Sequence, residues 1–186
     1  MNITQNMFQR NNGTKEGGAI YYDYNRPVIS NNTFINNQAS YGSNIASYPV
    51  KIVMRDSNTD HMSLESVGSG IKYENDLTLA LLDYDNQEMV SNDQDLININ
   101  PLDFTQSSIL GTNYGQLKDG VTTFSDLTFI NHPGHANVKF VATSNAIDTD
   151  KIQAIFGSQI SDNQIDVSFR WCKPGEFYDQ VDKCIR

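Results

Sequence analysis

The sequence predicts an all-β chain in three parts: stacked coils over residues 1–48, an antiparallel β-sandwich over 49–171, and a short disulfide-closed tail over 172–186. Three observations lead there. A degenerate repeat opens the chain, short extended runs separated by turn residues fill its middle, and both cysteines fall near its end.

In the repeat, Ile3-Thr4-Gln5-Asn6-Met7-Phe8-Gln9-Arg10-Asn11-Asn12 returns as Ile29-Ser30-Asn31-Asn32-Thr33-Phe34-Ile35-Asn36-Asn37-Gln38. Each copy closes on a glycine-led apolar step, Gly17-Gly18-Ala19-Ile20 and then Gly42-Ser43-Asn44-Ile45. The period is about 26 residues with a one-residue slip, inside the range of stacked solenoids. Ile3, Met7 or Phe8, and Ile20 recur in register as Ile29, Phe34 and Ile45. Register is what a parallel β-helix requires, because inward side chains of one coil sit above those of the next. Asn11-Asn12-Gly13 and Asn36-Asn37 fit its corners, where Asn and Gly tolerate positive φ and bond backbone locally. An asparagine-rich disordered tail is the competing reading, and the doubled aromatic and glycine spacings weigh against it. Two coils alone bury too little to be stable, so further coils are expected upstream, with Met1 an ordinary residue of an internal or truncated piece.

Ser47-Tyr48-Pro49 is the expected end of the coils, and Val50-Lys51-Ile52-Val53-Met54-Arg55 opens the sandwich as its first strand. Leu77-Thr78-Leu79-Ala80-Leu81-Leu82-Asp83 reads as a strand turning at Asp85-Asn86-Gln87 into Glu88-Met89-Val90. The segment from Gly120 to Ile130 reads as extended, and Asn131-His132-Pro133-Gly134 turns it into Asn137–Ala142, with Val138, Phe140 and Ala142 on one face. Asp166–Trp171 is the closing strand, with Val167, Phe169 and Trp171 on one side. Strands at this density, with almost no helical periodicity, predict the sandwich.

Eleven residues separate Cys172 from Cys184, a spacing that suits a disulfide-closed loop and lacks the pattern of a redox CxxC or a zinc site. A disulfide implies an oxidising compartment. The net charge of −9 and thirteen scattered basic residues argue against a nucleic-acid partner. No run approaches the roughly 20 apolar residues of a membrane span, and Met1 opens no signal peptide.

Several segments carry resemblances. Asn31-Asn32-Thr33-Phe34 and Gly17-Gly18-Ala19-Ile20 resemble the right-handed β-helix repeats of large surface proteins of unicellular eukaryotes and of polymorphic outer-membrane proteins of bacteria, Ser43 standing where a glycine is usual. Gly120–Leu127 followed by Pro133-Gly134 resembles the invasin or filamin type of immunoglobulin-like domain. Cys172-Lys173-Pro174-Gly175-Glu176-Phe177-Tyr178 is similar to the opening of cysteine-rich growth-factor-receptor or tumour-necrosis-factor-receptor modules. In that order they imply a very large extracellular or membrane-anchored surface protein.

Candidate chemistry is sparse. Asn2, Asn12 and Asn31 each head an N-glycosylation sequon. Asp83, Asp85 and Glu88, with Asp93 and Asp95 nearby, offer hard oxygens to calcium, but they lack an EF-hand's glycine and closing glutamate and read better as turn carboxylates. His132 and His135 bracket Pro133-Gly134 without a third metal ligand, and His61 stands alone in sequence. Glu16, Asp23, Arg10, Lys15 and Arg26 are too few to furnish the acidic groove of a polysaccharide lyase or hydrolase, and no GxSxG, HExxH or phosphate loop occurs. No cofactor is expected. The sequence favours a non-catalytic structural or adhesive segment of an extracellular or cell-surface protein, with surface glycans or proteins as partners. Its alternatives are a fragment of a carbohydrate-active β-helix enzyme with catalytic coils upstream, and a glycan- or peptide-binding sandwich using the loops from Ile109 to Tyr114.

Overall fold

A computed structural model describes residues 1–55, 57, 61–157, 163–179 and 183–185. It is all-β apart from one short helix. The first six strands, β1 (Asn2–Thr4), β2 (Met7–Gln9), β3 (Ile20–Tyr22), β4 (Val28–Ser30), β5 (Thr33–Ile35) and β6 (Ile45–Ser47), form two coils. They pair in parallel as β1 with β4, β2 with β5 and β3 with β6. The register matches Ile3 to Ile29, Phe8 to Phe34 and Ile20 to Ile45, so Phe8, not Met7, is the repeating aromatic. The Phe8 and Phe34 rings stack with centroids 5.2 Å apart, an arrangement that contributes about 0.5–1.5 kcal/mol beyond area burial.

Repetition extends to the backbone. Positive φ falls at Gln5 and Asn31, at Arg10 and Asn36, and at Gly17 and Gly42, so each bend of one coil recurs in the next. In the first coil Gln5 and Arg10 occupy the left-handed corners expected of asparagine. The asparagines act through their side chains instead. Asn32 Oδ1 accepts the Asn6 N–H at 2.9 Å and Asn37 Oδ1 accepts the Asn11 N–H at 3.0 Å, each across one period of 26 residues. Their amide groups donate to the carbonyls of Ile3 at 2.7 Å and Phe8 at 3.1 Å, so each asparagine satisfies two backbone groups that a bend leaves unpaired. The one-residue slip falls between the bridges Asn12–Gln38 and Glu16–Tyr41.

Pro49, at the expected end of the coils, continues sheet pairing. It opens β7 (Pro49–Met54), a strand position where a missing N–H is tolerated, and pairs with Asp83 of β9 (Leu77–Asp83). With β13 (Val121–Phe124) these strands make a three-stranded sheet in the order β13-β9-β7. The second sheet joins β12 (Tyr114–Gln116), β10 (Leu96–Pro101), β15 (Val138–Ser144), β16 (Gln164–Phe169) and β8 (Met62–Val67) in that order. A further pair joins β11 (Ser108–Gly111) to β14 (Leu127–Ile130). Apolar faces of all three meet in one core that contains Ile52, Leu79, Leu81, Ile97, Phe129, Phe140 and Ile165. Tyr41 and Ala46 of the second coil belong to the same core, so the coils and the sheets share one apolar interior.

Along the sheets the structure departs further from the sequence reading. The run from Gly120 to Ile130 breaks at Ser125-Asp126, and its halves join different sheets. Glu88 makes only an isolated bridge to Leu82 rather than starting a strand. The sheets are not wholly antiparallel, because β8 runs parallel to β16. The final strand stops at Phe169, so Val167 and Phe169 are buried while Trp171 is 71% exposed. The helix α1 (Thr149–Phe156) is unanticipated, and it is N-capped by Asp148, whose side chain accepts the Lys151 N–H at 3.1 Å. Among the described residues no helix is long and apolar enough to cross a membrane.

Candidate functional site

The densest polar chemistry lies where the second coil meets the end of β9. Leu77–Leu82 is an apolar strand, and its next residue, Asp83, is a carboxylate with 0% exposure. Burying a charge costs several kcal/mol unless it is bonded. Asp83 is bonded on every side: its Oδ2 accepts from the Tyr41 hydroxyl and, at 3.0 Å, from the Gln87 amide, and its Oδ1 accepts the Gln87 N–H at 2.8 Å. The Gln87 amide also donates to the Ile45 carbonyl at 3.0 Å, which returns the network to the coil. Beside it, Asp85 accepts from the Tyr22 hydroxyl at 2.5 Å and pairs with the Arg26 guanidinium at 2.8 Å. The Tyr84 N–H donates to Ser47 Oγ at 3.3 Å, and the Ser91 hydroxyl lies 3.4 Å from Glu16. The helix closes the joint from above, Phe156 stacking on Tyr84 at 5.3 Å and the Lys151 ammonium standing 5.8 Å from the Tyr24 ring.

Asp83 and Asp85 are therefore a clasp between the two parts of the chain. Their oxygens are occupied by phenols, an amide and a guanidinium, and Glu88 pairs with Arg55 at 3.1 Å. Arg26, one of the coil charges named above, is thus part of this clasp. Asp93 and Asp95 are likewise engaged, Asp93 by the Asp119 N–H at 2.6 Å and Asp95 by the amides of Asn92 and Asn145 at 2.7 and 2.6 Å.

Burial, then the hydrogen bond to Asp83, pushes the Tyr41 phenol above its usual range, and burial followed by Asp85 does the same for Tyr22. Unfolded tyrosine ionises near pH 10. Above that pH the unfolded chain loses protons that the folded chain keeps, so folding stability is fully present below pH 10 and falls as pH rises beyond it. Urea unfolding from about pH 9 to about pH 11 is expected to show this decline, with a shallower slope for Tyr41→Phe. Parallel pH profiles for the two proteins would exclude Tyr41 as its source.

Cys172 and Cys184 are joined in a disulfide, as the spacing suggests. The loop it closes carries the hairpin of β17 (Phe177–Tyr178) and β18 (Cys184–Ile185). It is fastened to the body by Arg170, which donates to both oxygens of Glu176 at 2.8 and 3.1 Å, and by the Cys184 N–H on the Ser69 carbonyl at 2.9 Å. Cys172, Glu176 and Cys184 lie close enough to suggest a metal site, but the disulfide and the Arg170 ion pair use their ligand atoms.

Of the histidines, His132 and His135 stack at 4.8 Å, and His135 Nδ1 lies 2.9 Å from the buried Asn131 Oδ1. His61 is not solitary, since its Nε2 lies 3.4 Å from Asp166. Asn2, Asn12 and Asn31 are all exposed on the coils. Glu16 and Arg26 belong to the clasp, and Asp23 accepts the Asn25 N–H at 2.9 Å. Ile109 lies half-buried in β11 and Tyr114 exposed in β12. No protein-family model matches the chain, and no curated protein matches it.

Proposed function

We propose that the chain is a non-catalytic structural or adhesive segment of a large extracellular or membrane-anchored surface protein. In this reading residues 1–48 are the terminal coils of a right-handed parallel β-helix, 49–171 an immunoglobulin-like sandwich, and 172–186 the start of a cysteine-rich module. The observation that carries it is the buried Asp83 clasp. A hinge between two independently moving domains needs few contacts across it, whereas here a fully buried carboxylate ties Tyr41 of the coil to Gln87 of the sandwich. Such a joint fixes one element's direction relative to the other, which is what a spacer or display arm must do and what a reactive pocket does not need.

Compartment chemistry agrees with this reading. The Cys172–Cys184 disulfide suits an oxidising environment, and three exposed sequons suit a secretory route. The test is surface biotinylation of intact cells followed by mass spectrometry of the recovered native protein. Expected are peptides of this chain in the biotinylated fraction with Cys172 and Cys184 oxidised and glycan on at least one of Asn2, Asn12 and Asn31. Recovery only from the cytosol, with both thiols free, would overturn it.

A further inference from the structure

The end of the sandwich remote from the coils carries a second feature. β10 runs away from the coil end, where Leu96 bonds to Asn145, and finishes at Pro101 opposite Phe140. The loop after it, 102–107, and the loop 131–137 before β15 therefore lie together at the far end. Between them is an open trough of about 370 Å³, within the size range of small-ligand sites.

Its lining combines two chemistries. Asp103, Gln106, Asn137 and Lys139 supply polar groups. The side-chain amides of Gln106 and Asn137 make no hydrogen bond to another described residue, and the exposed Asp103 carboxylate accepts the Thr105 N–H and hydroxyl at 2.8 and 2.6 Å and also faces the Gln106 N–H. Lys139 is paired with Asp166. The other chemistry is apolar, with Leu102, Ala136 and Val138 lining the trough beside the His135 ring. His135 lines one wall and stacks on His132, whose ring is followed at 5.2 Å by Tyr178 and at 6.4 Å by Trp171. Tyr178 and Trp171 do not line the trough, and Trp171 lies against Gly134, where an added Cβ would come within 2.5 Å of the indole. On the opposite loop Phe104 is 72% exposed, next to Asp103.

We infer that this trough binds a neutral saccharide, one hexopyranose or N-acetylhexosamine unit. A sugar ring presents an apolar C–H face and a rim of hydroxyls, which match the His135 ring and its apolar neighbours beside free amides and a carboxylate. The Asp103 carboxylate and the net charge of −9 turn away sialylated and sulfated glycans, and Lys139 is already neutralised. This assignment gives the adhesive reading above its ligand class and rests on that reading for its biological setting. The binding site itself is tested separately.

The purified chain is applied to an array of neutral, sialylated and sulfated glycans beside an array of peptides, and an isotope-labelled sample is titrated with N-acetylglucosamine and methyl galactoside by NMR. Expected are saturable binding to neutral glycans, shifts confined to residues 102–107 and 131–139, and at least tenfold weaker binding in Phe104→Ala and in Asn137→Gly. The glycine is chosen because Asn137 has φ 55°. Both variants are expected to keep the parent Tm. Binding only to anionic glycans or to peptides, no saturable binding to any glycan, shifts elsewhere, or full affinity in both variants would overturn the inference. Failure here leaves the surface location standing, and a cytosolic location leaves the sugar titration standing.

Discussion

Asp83→Ala is expected to lower folding stability by about 3–5 kcal/mol, the cost of leaving buried polar partners without their charged acceptor. The carboxylate is fully buried and receives the Tyr41 hydroxyl, the Gln87 N–H and the Gln87 amide. Alanine removes all three acceptor contacts at once, and no other acceptor is bonded to the Tyr41 hydroxyl among the described residues. Loss should be larger than for Tyr41→Phe, which removes one donor and leaves Gln87 to hold the carboxylate. Denaturant unfolding of the two single variants and the double variant measures this directly. A double variant no worse than Asp83→Ala would show that the two residues act as a unit. A loss under about 1 kcal/mol for Asp83→Ala would mean that water replaces the acceptor and that the clasp does not bind the second coil to the sheets.

The coils were legible because a stack repeats its side chains at fixed spacing, and periodic identity survives in a sequence without knowledge of three-dimensional contacts. Ile3 with Ile29, Phe8 with Phe34 and Ile20 with Ile45 could all be paired by eye, and they pair in the structure. The clasp was not legible. Tyr41 and Asp83 are 42 residues apart, and Asp83 next to Asp85 and Asn86 looks like ordinary turn chemistry. One signal was present: Asp83 directly follows the apolar run 79–82, which places it at the edge of a core rather than on a loop tip. Strand β8 escaped because a bulge opposite β16 and a positive φ at Ser66 break its period-2 alternation. Helix α1 escaped because its apolar stripe, Ile152, Ile155 and Phe156, spans little more than one turn of an eight-residue element and none of its residues is fully buried. The trough was missed for a topological reason. Residues 102–107 and 131–137 meet only because β10 and β15 are antiparallel neighbours, and the histidines read in isolation as an exposed turn.

Gly18→Ala is expected to unstack the coils, at a cost of about 3 kcal/mol, while the sheets beyond Pro49 keep their fold. Gly18 is a matter of space rather than of backbone freedom, because its φ is not in the left-handed region. An added Cβ would meet the Ser43 carbonyl oxygen and, at 2.7 Å, the Gln38 carbonyl oxygen, both backbone atoms of the next coil that cannot rotate away. Relief requires the first coil to lift off the second, which also strains the Gly18 N–H bond to the Gly42 carbonyl at 3.2 Å and the Asn11–Asn37 ladder beside it. Gly157→Ala is the control: no described residue lies within 4 Å of its added Cβ, so its cost is the roughly 1–3 kcal/mol of holding alanine at φ 55° and ψ −127°, a backbone that glycine adopts freely, far from the coils. Limited proteolysis with mass detection separates the cases. The Gly18 variant should be cut within residues 1–48 under conditions that leave the remainder and the Gly157 variant intact. Equal protection of the coils in both variants would mean that the two turns are not packed backbone to backbone, and the adhesive arm proposed above would lose its rigid first segment.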